Sequence, residues 1–354
     1  MSTTAKPQPA RGKIHPRFFE QVIARQLGAP SRRVLVGPRN GVDAGVLDLG
    51  HGQVMVITTD PLFVVPEYGW RRAGWFAVHI LASDVATSGL APQFMTADLN
   101  LPLATTDEQL AELWEAIHDS ATELGISIVT GHTGRYDGCG YPMAGGSTMF
   151  AIGGEQSYVS VGMTRPDDVV LVTKSAALEA AGLMAVTFEE RLGRAFGAEF
   201  ARQATDIFWE MSTVKDALTA ARVGVRERGV TAMHDATECG VYGGLYEMAQ
   251  AAGIGMDIDV AAIPVRPDIA RICEHFEMDP LTSISEGTLL ITCRPPQAED
   301  VRLALADEGI AASSVGSCSA ALGVRLHESG ATRTLEHPRV DPFWEAFARA
   351  VASS

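Results

Sequence analysis

The run WFAVHILASDVATSG at residues 75–89 decides how the first half of the chain is interpreted. Apolar side chains occupy nearly every side of a helical wheel, which predicts a buried helix over 70–89. Apolar strands are predicted before and after it, with VMVITT at 54–59 and a second run at 93–101. A buried helix between strands is typical of layered α/β or α+β folds.

Length and composition indicate two globular domains. The chain has 354 residues, of which 46% are hydrophobic and 20% are charged, and roughly 100–200 residues per domain is usual. Predicted strands and helices keep alternating after a turn-rich link at 164–168. We therefore predict an N-terminal arm and helix at 1–30, an N-terminal domain at 31–163 and a C-terminal domain at 164–354.

Several classes of protein are disfavoured by simple features of the sequence. The net charge of −15 would repel a nucleic-acid backbone. No run of roughly 18 apolar residues and no secretory signal is present, so a membrane span and export are not expected. The five cysteines form no C-x-x-C pair, which fits a cytoplasmic protein. The motifs of P-loop NTPases, zincins, α/β-hydrolases and Rossmann enzymes are absent.

Aspartates in apolar surroundings are the main chemical signal. Asp43 lies in GVDAGV, Asp60 ends the strand VMVITTD, and Asp84 interrupts the predicted buried helix. Burial of a lone carboxylate is costly, so each needs a partner or a metal ion. Converging carboxylates would suit Mg²⁺ together with substrate phosphates. The alternative for any one of them is a turn residue, an edge residue or a hydrogen bond inside the helix.

Two further segments follow predicted strands. Residues 130–134, TGHTG, follow the strand at 126–129 and are predicted to form a loop whose backbone N–H groups could hold an anion. His132 in this segment could be a ligand, a proton carrier or only a loop residue. HDATECG at 234–240 precedes a predicted helix and could form an anion site at its start. Cys239 could be a nucleophile, although a small packing residue is the commoner role.

These segments, in this order, resemble the superfamily of aminoimidazole ribonucleotide synthetase, and the similarity extends over about residues 12–345. The branch that the chain resembles most contains the hydrogenase maturation protein HypE. The matching stretches are GKIHPRFFEQVI (12–23), VGPRNGVDAGVLDLG (36–50), TTDP (58–61), ASDVATSGLAP (82–92), TGHTG (130–134), MHDATECGVYGGLYEMA (233–249), IPVRP (263–267) and SEG (285–287).

The resemblance implies a two-domain PurM-like fold. Its N-terminal α+β domain would bind ATP and pair across a homodimer into a central β-barrel, and its C-terminal domain would be α/β. With ATP and Mg²⁺ as cofactors, the protein would phosphorylate the oxygen of an amide or carbamoyl-type group on a small molecule or a partner. The implied residues are Asp43, Asp60 and Asp84 as metal ligands, Thr59, Gly131, His132, Thr133 and Lys174 as nucleotide contacts, and His234, Asp235 and Glu238 as acid–base candidates.

The chain also departs from the family's pattern. Val42 stands where relatives often carry an acid, and KSAALEAAG at 174–182 contains less glycine than usual. HypE carries its thiocarbamoyl group on a C-terminal cysteine, whereas no cysteine follows Cys318 here. Two alternatives therefore stay open: a catalytically degenerate dimeric scaffold, and a hydrogenase-maturation protein that acts on a group borne by another chain. Lys174 could equally be a solvated lysine at a strand end.

Overall fold

The computed structural model describes residues 12–14 and 16–353. Its first half is organised around one mixed sheet. The helices are α1 (Pro16–Phe18), α2 (Trp70–Ala86) and α3 (Asp107–Glu123), and a π-helical turn, Phe19–Ile23, continues α1. The strands are β1 (Val34–Val36), β2 (Gly45–Gly50), β3 (Gln53–Phe63), β4 (Phe94–Pro102), β5 (Ser127–Tyr136) and β6 (Met143–Gly154). They are ordered β1-β2-β3-β6-β4-β5, and only the β4–β5 pair is parallel.

The second half contains a larger mixed sheet and more helices. The helices are α4 (Leu178–Thr187), α5 (Glu189–Phe196), α6 (Ala198–Thr205), α7 (Val214–Val223), α8 (Gly240–Ala252), α9 (Pro267–His275), α10 (Pro295–Asp307) and α11 (Pro342–Ala352). The strands are β7 (Val169–Thr173), β8 (Val230–Asp235), β9 (Gly255–Asp259), β10 (Leu289–Cys293), β11 (Ala312–Ser319), β12 (Gly323–Glu328) and β13 (Ala331–Thr334). Their order is β13-β12-β9-β11-β7-β10-β8.

Strand β3 shows how the first sheet separates two environments. Its alternating side chains Val54, Val56 and Thr58 are buried on the inner face, which the predicted buried helix α2 covers. Asp60 continues this inner row, whereas Thr59 lies between them on the outer, more exposed face. The two-residue period therefore places the adjacent residues Thr59 and Asp60 on opposite sides of the sheet.

The two halves share a hydrophobic core. One cluster of buried residues contains Val85 of α2, Ala217 of α7 and Met233 of β8, so it joins elements of both sheets. The two-domain α/β architecture expected from the sequence is confirmed, and we propose 163/164 as the domain boundary, because the sheets separate between β6 and β7. No helix among the described residues has the length and apolar composition needed to cross a bilayer.

The prediction of a loop at residues 130–134 is wrong. This segment belongs to β5, which pairs in parallel with β4 through Ala97 and Gly131 and through Asp98 and His132. A Cβ on Gly131 would lie 2.2 Å from the carbonyl oxygen of Ala97, so the glycine permits close contact between strands. Within the predicted arm and helix at 1–30, helical structure is confined to Pro16–Ile23 among the described residues.

Candidate functional site

Acidic side chains from both halves converge where the two sheets meet. We call the following five residues the acidic cluster: Asp43 before β2, Asp60 on β3, Asp84 on α2, Asp235 at the end of β8 and Glu247 on α8. Asp43 and Glu247 are joined through one histidine, and Asp84 interacts with Asp43, Asp60 and Asp235. The three predicted metal ligands therefore lie together, with two further carboxylates beside them.

His234 on β8 links two members of the acidic cluster. Its Nδ1 lies 2.6 Å from Asp43 Oδ1 and its Nε2 lies 3.2 Å from Glu247 Oε2. Burial alone would lower the pKa of His234, but the charges and hydrogen bonds of Asp43 and Glu247 raise it well above the ordinary value. The imidazole is therefore a cation that donates from both nitrogens, which leaves neither nitrogen free to bind a metal ion.

Asp60 and Asp84 share a proton. Their carboxyl groups are hydrogen-bonded to each other, and Thr58 Oγ1 contacts Asp84 Oδ2 at 2.9 Å. Burial and then the charge of Asp235 raise the pKa of Asp84 well above its usual range, so the shared proton resides there. A divalent cation would displace this proton, because metal binding requires the ionised carboxylate.

Two buried oxygens of the acidic cluster point at no hydrogen-bond donor within the described part of the chain, namely Asp43 Oδ2 and Asp235 Oδ2. One ligand atom each from Asp43, His234 and Asp235 can be chosen so that all three lie within 4.8 Å of one another. Because the imidazole nitrogens are already engaged, the carboxylate oxygens are the available ligands. Carboxylate oxygens that accept no hydrogen bond are suitable ligands for Mg²⁺.

The ionised form of Asp235 is destabilised by burial and by the neighbouring carboxylates. Burial, followed by the charge of Asp43, raises the pKa of Asp235 to about 7. Glu247 behaves in the opposite way: burial opposes its ionisation, but the hydrogen bond from His234 and the imidazole of His337, 3.9 Å away, lower the pKa of Glu247 below its usual value. The acidic cluster thus contains one imidazolium that is paired with two carboxylates, and further carboxyl groups with no such cation beside them.

The N-terminal segment reaches this site, which the sequence interpretation missed. The backbone N–H of Lys13 donates to Glu238 Oε2 at 2.8 Å, and its Nζ donates to Thr237 Oγ1 at 3.0 Å. Although the residue keeps much of its surface exposed, its ammonium interacts with Glu247, Asp43, Asp235 and Asp84. The stretch GKIHPRFFEQVI had carried the family resemblance and could have indicated this role.

A second pair of acids lies next to the acidic cluster. Both carboxyl oxygens of the buried Glu286 lack a hydrogen-bond partner among the described residues, and burial, followed by the charge of Asp235, raises its pKa well above the usual value. The Glu286 backbone N–H donates to Glu179 Oε2 at 3.0 Å. Burial raises the pKa of Glu179 to about 8. Two neutral carboxyl groups therefore adjoin Asp235. In the sequence, Glu286 lies in the SEG motif and Glu179 lies in the segment KSAALEAAG.

Within a single chain, the residues of the first sheet that were predicted to contact nucleotide do not belong to the acidic cluster. Thr59 Oγ1 donates to the Ser147 carbonyl at 2.9 Å on the outer face. His132 is exposed on the edge strand β5 and its Nε2 contacts Tyr136 Oη at 2.6 Å. Thr133 is its exposed neighbour on the same strand. The roles of these residues and of Gly131 as nucleotide contacts stay predictions.

Lys174 occupies a different position from the one expected. Its ammonium donates to the carbonyl oxygens of Glu210 at 3.3 Å and Ser212 at 2.7 Å, and to Asp216 Oδ2 at 3.2 Å. These three bonds use all of its N–H donors. Lys174 therefore ties β7 to the segment before α7, and its placement does not favour the predicted contact with phosphate.

Glu238 and Cys239, in the loop before α8, have different roles. Glu238 accepts from Lys13, as described, and lies 3.4 Å from Trp344 Nε1. Cys239 is buried, its Sγ donates to the Pro338 carbonyl at 3.1 Å, and burial raises the pKa of its thiol to about 12. Cys239 is therefore a packing residue, because a nucleophilic cysteine needs an accessible thiolate.

The chain is similar to known proteins over most of its length. Residues 41–153 match the model of the AIR synthase related protein N-terminal domain, and residues 165–327 match that of the C-terminal domain. The carbamoyl dehydratase HypE of Escherichia coli K12 is 31% identical over 313 residues, which are 85% of this chain and 88% of that protein. Its crystal structure, described as that of a hydrogenase maturation protein, has a TM-score of 0.68 at 26% identity and covers 85% of this chain and 92% of the other.

Two further solved structures share the fold. HypE in complex with ATP has a TM-score of 0.61 at 20% identity and covers 94% of this chain and 97% of that one. The HypE–HypF complex has a TM-score of 0.69 at 21% identity and covers 91% and 99%. Both family models and the identity to the E. coli protein lead to the same conclusion. The chain belongs to the AIR synthase related (PurM-like) family, in the branch that contains HypE.

Proposed function

We propose that the chain is an ATP- and Mg²⁺-dependent enzyme that phosphorylates the oxygen of a carbamoyl-type amide and so dehydrates it. The dehydration is suggested by the E. coli relative, a carbamoyl dehydratase, and the nucleotide by the HypE structure with ATP. The complex of HypE with HypF favours a group that a partner protein carries. The substrate would thus be a carbamoyl-type group presented by another chain.

One observation carries the proposal. The acidic cluster holds buried carboxylate oxygens with no hydrogen-bond donor among the described residues, Asp43 Oδ2 and Asp235 Oδ2, at the junction of two sheets. Leaving such groups unpaired costs free energy. A site of this composition becomes favourable when a divalent cation binds, and Mg²⁺ characteristically shares its ligands between carboxylates and nucleotide phosphates.

The reaction balances without a redox partner. The amide oxygen attacks the γ-phosphorus of ATP, ADP leaves, and the amide nitrogen loses a proton. Loss of the second N–H proton and cleavage of the carbon–oxygen bond then release phosphate and leave a carbon–nitrogen triple bond. Bound Mg²⁺ would supply charge neutralisation for the phosphate oxygens.

This chain's own groups have distinct tasks in that scheme. Asp43, Asp60, Asp84 and Asp235 would hold the cation through their carboxylate oxygens. His234, fixed between Asp43 and Glu247, orients the Asp43 carboxylate and prevents it from turning away. The acid–base roles predicted for His234, Asp235 and Glu238 stay predictions.

We further propose that the protein acts as a homodimer through the outer face of the first sheet. That face carries half-buried apolar side chains, including Ile57, Phe94 and Phe150, and the last two rings lie 5.4 Å apart. Apolar area on a sheet face is stabilised when a second copy covers it. Light scattering on a sizing column should give twice the chain mass of 37.7 kDa.

Turnover of ATP by Asp60→Asn tests the proposed function. A peptide with an S-carbamoylated cysteine serves as the substrate probe, and release of ADP and phosphate is measured. Wild type should turn over ATP, and Asp60→Asn should lose at least tenfold because one ligand charge is removed. Asp119→Asn, which changes an exposed aspartate on α3, is the matched control. Equal turnover by wild type and Asp60→Asn would reject the proposal.

A further inference from the structure

We propose that Lys13 is a phosphate-binding residue, whose ammonium contacts the phosphate chain of ATP at the acidic cluster. This inference rests on the proposed function and adds a residue from outside the two domains matched by the family models, which begin at residue 41. Lys13 Nζ is held 3.0 Å from Thr237 Oγ1, in the loop that precedes α8. The charges that act on it come from Glu247, Asp43, Asp235 and Asp84.

The segment is fixed at this place by its neighbour Gly12. Gly12 has φ +96°, and a Cβ there would lie 1.8 Å from Glu238 Oε1. The positive φ favours glycine, and a Cβ at this position would force the Glu238 carboxylate to move. The backbone N–H of Lys13 then donates to the other oxygen of Glu238 at 2.8 Å. These contacts direct the lysine side chain toward Thr237 and the acidic cluster.

The ammonium of Lys13 retains donors for a ligand. Among the described residues, Thr237 is its one hydrogen-bond acceptor, and an ammonium has three N–H donors. The other two described lysines differ. Lys174 is fully engaged by three acceptors, and Lys215 is held at the surface by the carbonyl and carboxylate oxygens of Glu308. Lys13 is thus the described lysine suited to bind phosphate.

The acidic cluster carries more negative than positive charge, and a lysine beside bound phosphates would reduce this excess. The acidic cluster contains five carboxyl groups, whereas His234 is its buried cation and Asp235 Oδ2 has no partner within the described residues. A nucleotide brings several more negative charges into the same space. One Mg²⁺ ion offsets only two of them, so an ammonium beside the phosphates reduces the remaining repulsion.

A purely structural role would give a different behaviour. If Lys13 only neutralised the carboxylates, its removal would strip a cation from the acidic cluster and Mg²⁺ would take its place more tightly. The affinity for nucleotide at saturating Mg²⁺ would then stay the same or increase. If Lys13 binds phosphate, the nucleotide affinity falls while the affinity for Mg²⁺ alone does not.

Calorimetric titration of the full chain separates these cases. The titrants are Mg²⁺ alone and the non-hydrolysable analogue AMP-PNP at saturating Mg²⁺, and the variants are Lys13→Met, Lys13→Arg and Lys215→Met. We expect Lys13→Met to bind AMP-PNP about 10- to 100-fold more weakly, as for loss of a charged hydrogen bond. Lys13→Arg should recover most of the affinity, and Lys215→Met should match wild type.

The possible failures are distinguishable. If wild type binds AMP-PNP and Lys13→Met binds it equally well, Lys13 does not contact phosphate and the proposed function is unaffected. If Lys13→Met weakens Mg²⁺ alone by the same factor, the lysine supports only the folded acidic cluster and the inference is overturned. If wild type itself does not bind AMP-PNP, the proposed function fails and this inference with it.

Discussion

Replacing Asp235 by Asn should stabilise the unliganded protein and weaken its binding of Mg²⁺ and nucleotide. Asp235 is 1% exposed, and its Oδ2 has no hydrogen-bond partner among the described residues. Burial, followed by the charge of Asp43, raises the pKa of Asp235 to about 7 from 3.8. Asparagine keeps the shape of the side chain and removes the charge that causes the cost.

The size of the effect follows from the rise in pKa. At 1.36 kcal/mol per pKa unit, a rise from 3.8 to about 7 is equivalent to about 4 kcal/mol at neutral pH. The neighbouring carboxyl groups exchange protons with Asp235 and relieve part of this cost. We therefore expect Asp235→Asn to increase the free energy of unfolding by about 1–3 kcal/mol, which raises Tm by several degrees.

The pH dependence has a definite sign. The folded protein holds the Asp235 proton more tightly than the unfolded chain, so this group favours folding below pH 4. Wild type loses that contribution as the pH rises from about 4 to about 7, and Asp235→Asn does not. The stability difference between the two proteins should therefore be small near pH 4 and largest at pH 7 and above.

Urea unfolding in the presence of EDTA, at several pH values, measures this difference. Asp216→Asn is the matched control, because Asp216 is 2% exposed but lies 3.1 Å from the ammonium of Lys174. Its loss leaves a buried cation unpaired and should cost about 3–5 kcal/mol. The reasoning is refuted if Asp235→Asn is less stable than wild type at pH 7, or if it binds Mg²⁺ and AMP-PNP as tightly.

Two further predictions concern local packing. Gly12→Ala should weaken AMP-PNP binding at least fivefold with little change in Tm, because the new Cβ would displace Glu238. Gly28→Ala is the control and should leave binding unchanged, because its Cβ meets no atom within 4 Å. Equal binding by both variants would contradict the anchoring of Lys13. Ellman's reagent should label Cys139 rapidly in the native protein, because Cys139 is the one cysteine that is not buried. The other four thiols should react only after denaturation. Fast labelling of a second thiol would show that the described packing is wrong.

Local periodicity explains why much of the architecture could be predicted. The apolar run around Asp84 predicted a buried helix, and a strand ending in Asp60 was predicted before it. Both elements are present, but α2 ends at Ala86 and β3 continues past Asp60 to Phe63. The convergence of Asp43, Asp60 and Asp84 followed from the family resemblance, because residues so far apart along the chain are joined only by tertiary structure.

Long-range contacts explain what sequence interpretation missed. Residues 130–134 contain two glycines and a histidine, which are weak strand formers, and pairing with β4 overrides that preference. Glu247 is one acid on a helix, and only the fold places it against His234. Lys13 lies 21 residues before β1 and gives no periodic signal; the hydrogen bond from its backbone N–H to Glu238 fixes its place.

The most direct measurement is anomalous diffraction from crystals grown with Mn²⁺ and AMP-PNP. Mn²⁺ accepts the same oxygen ligands as Mg²⁺ and gives an anomalous signal. A peak within coordination distance of Asp43 and Asp235 oxygens, and next to the phosphates, is the predicted result. Metal and nucleotide bound elsewhere, or an acidic cluster that remains empty while both are present at saturating concentration, would contradict the account.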